Sequence, residues 1–392
     1  MRKLLVWTTT ASVLLGCALG AATPVQAETP AASAGTTTTD INAKIANLPV
    51  DDATKAKIKK VLNALPADWS QRVAAVSDRF GIDSDWQEMV KAVAAGDCVN
   101  PTAIGDWMGE QLRDVDTSVL DMIGELGGFA LPFIDAILIQ TDATPQSFGQ
   151  SGEYTTTVTN TRRDLDKFWD IKSDDIQTIA MHGDILTDVD RMAAAAKLAF
   201  RLTEAQAREL GEAVNALVRS EPALENGANP VFTFNAIAVS GEGVDDKLVM
   251  GDGLLEGMTG IGLGDVGPKA ILAHEYGHHI QYENDLIGDG DPTPEASRRV
   301  ELMADAFSSY FLTHKRGQAL NTKRVIDAER AYAEVGDCQT ASPGHHGTPD
   351  QRAASGTWAA EVVASAEDQG HILPSRNFAT LFDANLDDII AG

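Results

Sequence analysis

The chain predicts an α+β fold that is mostly helical, with one apolar helix lying beside a small sheet. Three observations lead there. Most of the 392 residues fall into segments whose apolar positions recur at helical spacing. One β-rich neighbourhood, residues 231–250, breaks that pattern. Just beyond it, Ala270-Ile271-Leu272-Ala273 leads into a His-Glu-Tyr-Gly-His run closed by Ile280, with no lysine, arginine or aspartate among them.

The elements follow in order. Arg2 and Lys3 open the chain, Leu4 to Ala22 is mostly apolar, and Thr23 to Ala27 ends in a small-x-small pattern. Residues 1–27 therefore read as a signal peptide, leaving an exported chain, periplasmic or secreted. Leu14-Leu15-Gly16-Cys17 also resembles a lipobox, which would end the signal before Cys17 and tether the protein to the envelope by a lipid on that cysteine. A retained anchor helix is the third reading. Residues 28–40, rich in Ala, Thr, Gly, Ser and Pro, suit a flexible linker. A helical N-terminal region spans 41–220, with helices over Ile41–Leu48, Asp52–Leu65, Asp68–Phe80, Asp85–Ala95, Asp188–Phe200 and Thr203–Ser220. Within it, Thr-rich Tyr154–Thr161 reads as strand or loop, and Phe168-Trp169 as core anchors. Phe129–Ile139 is apolar but holds Pro132 and Asp135 and is too short to cross a bilayer.

The second region, 221–392, opens on strands Val231–Val239 and Lys247–Met250 around a Gly241-Glu242-Gly243 turn. A helix with Thr293 as N-cap and Pro294 in its first turn runs to a stop at Gly317. Gln351–Ala366 is a further helix, and a short acidic one ends the chain.

The chemistry concentrates on two of these helices. His274 and His278 are four residues apart and share one helical face, so both imidazoles reach one metal ion, with Glu275 beside it as base. A catalytic zinc commonly takes three protein ligands and keeps a fourth position for water. Glu301 supplies the third. Asp305, one turn on, is placed to accept a hydrogen bond from the far nitrogen of a ligating histidine. The bland reading makes Glu301 and Asp305 a solvated stripe pairing with Arg298 and Arg299.

With those residues in view the chain resembles the gluzincin metallopeptidases, whose His-Glu-x-x-His is followed by a Glu and, four residues on, an Asp. Ala273-His274-Glu275-Tyr276-Gly277-His278-His279-Ile280-Gln281, Glu301-Leu302-Met303-Ala304-Asp305 and His346-Gly347-Thr348-Pro349-Asp350-Gln351-Arg352 are similar, more closely, to the bacterial neutral zinc metallopeptidase family of exported proteins. The resemblance covers roughly residues 230–360 and implies a zincin-like active-site helix, one Zn²⁺ on His274, His278 and Glu301, and Glu275 as the catalytic residue. Zinc would polarise the scissile carbonyl and lower its water's pKa to about 7, while Glu275 takes and hands on the proton. For the oxyanion donor the candidates are His345, His346, Tyr310 and His314. His346 opens the third motif and is the catalytic candidate, against a plain reading as a loop histidine. His279 should face away from the metal, and His182 and His371 read as structural or surface groups.

Composition bounds the partners. Net charge is −26, spread along the chain, which argues against nucleic acid and against adhesion to anionic lipid. A membrane enters only through a lipid on Cys17. Cys98 and Cys338 are the remaining cysteines and suit a disulfide in an oxidising compartment. The rival reading makes Cys98 a thiolate that blocks the zinc of a latent form. The expected substrate is a protein or peptide, extended along an edge strand beside the zinc helix. A non-proteolytic zinc-binding envelope protein and a zinc hydrolase of another amide or ester are the alternatives.

Overall fold

Local capping sets most element boundaries. The computed structural model describes residues 5–8, 38–80, 102–241, 243–288, 293–336 and 345–391. Its elements are β1 (Leu5–Thr8), α1 (Thr38–Asn47), α2 (Asp52–Ala64), α3 (Trp69–Phe80), α4 (Ala103–Gln111), α5 (Thr117–Glu125) and the short α6 (Leu131–Ile134). There follow α7 (Thr155–Phe168), β2 (Gln177–Met181), α8 (Val189–Phe200), α9 (Glu204–Ser220), β3 (Ala236–Ser240), β4 (Lys247–Gly251) and α10 (Asp252–Gly260). The last five are α11 (Gly267–Glu283), α12 (Pro294–Thr313), α13 (Thr322–Glu334), α14 (Pro349–Ser365) and α15 (Ser375–Ala391). This is the predicted class, a helical α+β fold with a small sheet. The Asp51 carboxylate takes the Thr54 amide at 2.6 Å, and Thr203–Gln206 and Thr348–Gln351 form reciprocal capping boxes. The helix expected over Asp85–Ala95 lies outside the described residues, as do the leader apart from Leu5–Thr8 and the linker up to Thr37.

Three expectations are corrected. The segment Tyr154–Thr161 is helical from Thr155 on, as the start of α7, because Val158, Thr161, Arg162, Leu165 and Phe168 bury one face at helical spacing and outweigh threonine's strand preference. The strand expected from Val231 begins at Ala236. Pro230 and the Asn229 side chain, which accepts the Val231 amide, turn residues 230–232 into a 3₁₀ turn instead. The helix expected to run to Gly317 ends at Thr313, with the His314 amide bonded back to the Tyr310 carbonyl.

The sheet is mixed, in the order β1-β3-β4-β2, with β2 parallel to β4 and the other pairs antiparallel. Strand β2 precedes residue 220 and its partner β4 follows it, so one sheet draws on both halves of the chain. Every residue of β3 and β4 is buried, which is why neither reads as alternating in sequence. Buried Lys247 directs its ammonium to the carbonyls of Ile137 and Gln140 at 2.7 and 2.6 Å, closing the end of the π-helical turn Asp135–Ile139. Helix α11 packs against β3 on one side and against α7 on another, where the Arg162 guanidinium lies 5.1 Å from the Tyr276 ring centre. One hydrophobic core runs without a break from Ile45 to Ile389.

Candidate metal centre

Helix α11 is buried along its whole motif, from Ala270 to Tyr282. A helix apolar on all sides belongs in a core, and the polar groups it carries there need partners. His274 and His278 sit one turn apart on the face turned to α12. Gly277 lies between them, and a Cβ there would come within 3.1 Å of both Cα and O of Ala304. Glycine therefore lets the two helices close to backbone contact, and that contact brings Glu301 and Asp305, flanking Ala304, up to the histidine pair.

Three side chains converge. His274 Nε2 and His278 Nε2 are 3.1 Å apart, His274 Nε2 is 3.3 Å from Glu301 Oε2, and His278 Nε2 is 3.5 Å from Glu301 Oε1. An ion bound tetrahedrally at about 2.0–2.1 Å requires donor separations of about 3.3 Å, so the spacing suits one shared ion. These three residues form a buried group able to hold a metal.

The outer nitrogens explain why the inner ones point together. His274 Nδ1 lies 2.8 Å from Asp305 Oδ1, and His278 Nδ1 lies 2.9 Å from Gln281 Oε1, whose amide donates to the Val300 carbonyl at 2.7 Å. Carboxylate and amide oxygens accept, so each Nδ1 donates and each Nε2 turns a lone pair inward. Arg352 completes the layer, with Nε 2.8 Å from Asp305 Oδ2 and Nη2 2.7 Å from Oδ1. Among the described residues, neither oxygen of Glu275 or of Glu301 has a hydrogen-bond partner, although all four are buried. Orphaned carboxylate oxygens in a core mark a missing positive charge.

Charge counting gives its size. Glu275, Glu301 and Asp305 set three negative charges against the single positive charge of Arg352, and all four side chains are fully buried. The surplus is two, the charge of one divalent ion. Without the ion, protons take its place. Burial opposes charge on His274, yet Asp305 and Glu301 outweigh it and hold the imidazole up to about 9. Burial pushes Glu275 up to about 8, against the charges of His274 and Arg352. Burial drives His278 down to about 4. For Glu301 and Asp305 burial is overcome by the surrounding imidazoles and, at Asp305, by Arg352, so both stay ionised.

The remaining candidates separate. Tyr310 on α12 and His314 just past its end lie nine and thirteen residues beyond Glu301, about 13 and 20 Å along the axis. Tyr310 receives the Leu373 amide, and both His314 nitrogens bond backbone, so neither serves the centre. His346 is buried and close enough to lower the pKa of Glu301 by its charge. His279 faces away, as expected, with Nε2 on the Lys247 carbonyl at 2.9 Å. His371 is exposed, and its carbonyl accepts from His314. Cys17, Cys98 and Cys338 lie outside the described residues. Arg352 and Gln281 were missed as site residues. Arg352 stood inside the third motif without a role, and Gln281, three residues past a ligand, carried the signal of an i, i+3 helical pair.

Compared with protein-family models, curated proteins and solved structures, the chain matches none.

Proposed function

We propose that the chain is an exported zinc-dependent metallopeptidase of the neutral zinc metallopeptidase type. The observation that carries this reading is the convergence of His274, His278 and Glu301 beside Glu275, a buried carboxyl with neither oxygen hydrogen-bonded among the described residues. Two imidazole nitrogens and a carboxylate brought this close suit Zn²⁺ and leave room in its coordination for a water. When bound there, zinc supplies Lewis acidity toward a carbonyl and a water acidic enough to react near neutral pH. Glu275 does the proton work: buried beside the histidine pair, its carboxylate accepts a proton and returns it to a leaving amine within one cycle. Asp305 and Gln281 hold the two rings still, and His346, buried near Glu301, is the residue this reading assigns to a developing negative oxygen. Strand β3 already carries Leu5–Thr8 antiparallel along its outer edge, so that edge accepts an extended chain. Removal of a leader ending at Ala27 frees it for a protein or peptide substrate.

One observation favours a second reading. His274, His278 and Glu301 are at most 1 % exposed, which suits a closed structural metal site in a non-proteolytic envelope protein. Glu275→Gln separates the two. On the peptidase reading the variant keeps stoichiometric zinc by elemental analysis and loses about 10²–10⁴-fold of its activity on a denatured protein mixture. Zinc-loaded wild type that releases no new peptide termini would instead support the second reading.

A further inference from the structure

We infer that Arg352 is a positioning residue of the metal centre, one that locks Asp305 at two points and thereby fixes the ring of His274. The inference rests on the zinc reading and deepens it, since no role for Arg352 follows from that reading alone.

The geometry is a fork. Nε and Nη2 of Arg352 reach the two oxygens of Asp305 at 2.8 and 2.7 Å, and Oδ1 also takes the His274 Nδ1 proton at 2.8 Å. A carboxylate held by one donor still turns about its Cβ–Cγ bond, whereas one held by two parallel donors does not. The direction of Oδ1 is thus set by the arginine, and the imidazole plane by Oδ1. The guanidinium is itself held, because Nη1 donates to the Val335 carbonyl at 3.1 Å and no part of the side chain is exposed. Its Nη2 also stands 3.9 Å from Glu301 Oε2, so a single cation faces both the ligand carboxylate and its neighbour.

The same residue anchors the third segment. Arg352 lies in the first turn of α14, just after the Thr348–Gln351 capping box. Two hydroxyl bonds seal α14 against α12, Ser355 to the Leu302 carbonyl at 2.5 Å and Ser309 to the Gly356 carbonyl at 2.7 Å. Upstream, Gly347 takes φ +101 and leaves only 3.1 Å between a notional Cβ and Leu302, so the turn before α14 lies directly against α12. A buried Asp–Arg pair seldom repays its own desolvation. Here it is linked directly to a metal-ligand ring, the usual place for an outer group that governs affinity.

The test uses the full chain stripped of metal by a chelator. Zinc affinity is measured by competition with a chromophoric chelator, and Co²⁺ uptake by its visible absorption, for wild type, Arg352→Met and Arg352→Lys. Lysine keeps a positive charge but supplies one point where the fork supplies two. Both variants should bind zinc about 10–100-fold more weakly and shift the cobalt bands, with Arg352→Lys melting nearer to wild type than Arg352→Met. Should Arg352→Met fail to fold, Arg352→Lys decides alone. Zinc affinity within about threefold of wild type, together with an unchanged cobalt spectrum, overturns the inference and leaves the zinc reading intact. Wild type that takes up neither ion overturns both. Wild type that binds metal tightly but cleaves nothing refutes only the peptidase.

Discussion

Two histidine–aspartate pairs in this molecule look alike at the level of one hydrogen bond and differ in everything around it. His274 and Asp305 meet at 2.8 Å, and His182 and Asp252 at 2.6 Å. The first pair is sealed in the core and continues inward to His278 and Glu301 and outward to Arg352. The second sits where the parallel strands β2 and β4 end, with the imidazole a quarter exposed and Asp252 held by the Gly149 amide at 2.9 Å. An aspartate that orients an imidazole is therefore no sign of a metal site by itself. What distinguishes the centre is that the opposite nitrogen meets two further lone pairs and a surplus of buried negative charge. Among the described residues no such ligand group forms at His182, whose pair with Asp252 ties two strand ends together.

The comparison is open to attack by mutation. Asp305→Ala leaves Arg352 buried without its carboxylate and should destabilise the metal-free protein by about 3–5 kcal/mol. Asp252→Ala, at a partly solvated pair, should cost about 1 kcal/mol. Chemical denaturation of both variants gives the two numbers, and equal losses would erase the distinction drawn here.

Gly277→Ala probes how the centre is assembled. Its added Cβ meets backbone of α12 at 3.1 Å, so the helices must part by a few tenths of an ångström, at about 1–3 kcal/mol. Zinc affinity should fall with stability, because Glu301 moves with the helix. Gly109→Ala in α4 is the control: nothing lies within 4 Å of its Cβ, and it should gain about 0.5–1 kcal/mol with zinc binding unchanged. A Gly277→Ala protein that binds zinc like wild type would show that close approach of the helices is not what builds the triad.

The smallest effect belongs to pH. The hydrogen bond to Asp252 raises the pKa of His182 above 6.5, against burial. A raised folded pKa means that the charged pair stabilises fully below the unfolded value and fades as the pH climbs through the folded one. The difference in melting temperature between wild type and Asp252→Asn should thus be larger at pH 6 than at pH 9, with bound zinc the same in both. A difference that grows with pH would reverse the assigned charge state.

How much of this was legible depended on the range of the interaction. Asp51, Thr203, Thr293 and Thr348 cap helices through amides three residues away, so the sequence displays both partners together. The pairing of His274 with His278 is equally local. Strand β2 was invisible for the opposite reason: its five residues resemble any short apolar run, and only β4, some seventy positions later, makes them a strand. Helix α7 was misread because threonine preference is a weak local signal against a buried face supplied by α11.

What the chain determined unaided is therefore the helical class, the caps, and the set of chemical groups offered to a metal, since each rests on neighbours within a turn or two of helix. Tertiary structure decided which of those groups meet. Gly277 against Ala304 sets how close Glu301 comes, Gln281 and Asp305 choose the nitrogen each ring presents, and Arg352 arrives from 47 residues beyond Asp305 to hold its carboxylate. Burial then converts the meeting into a demand for positive charge, because carboxylates that water would satisfy at the surface have no partner in the core.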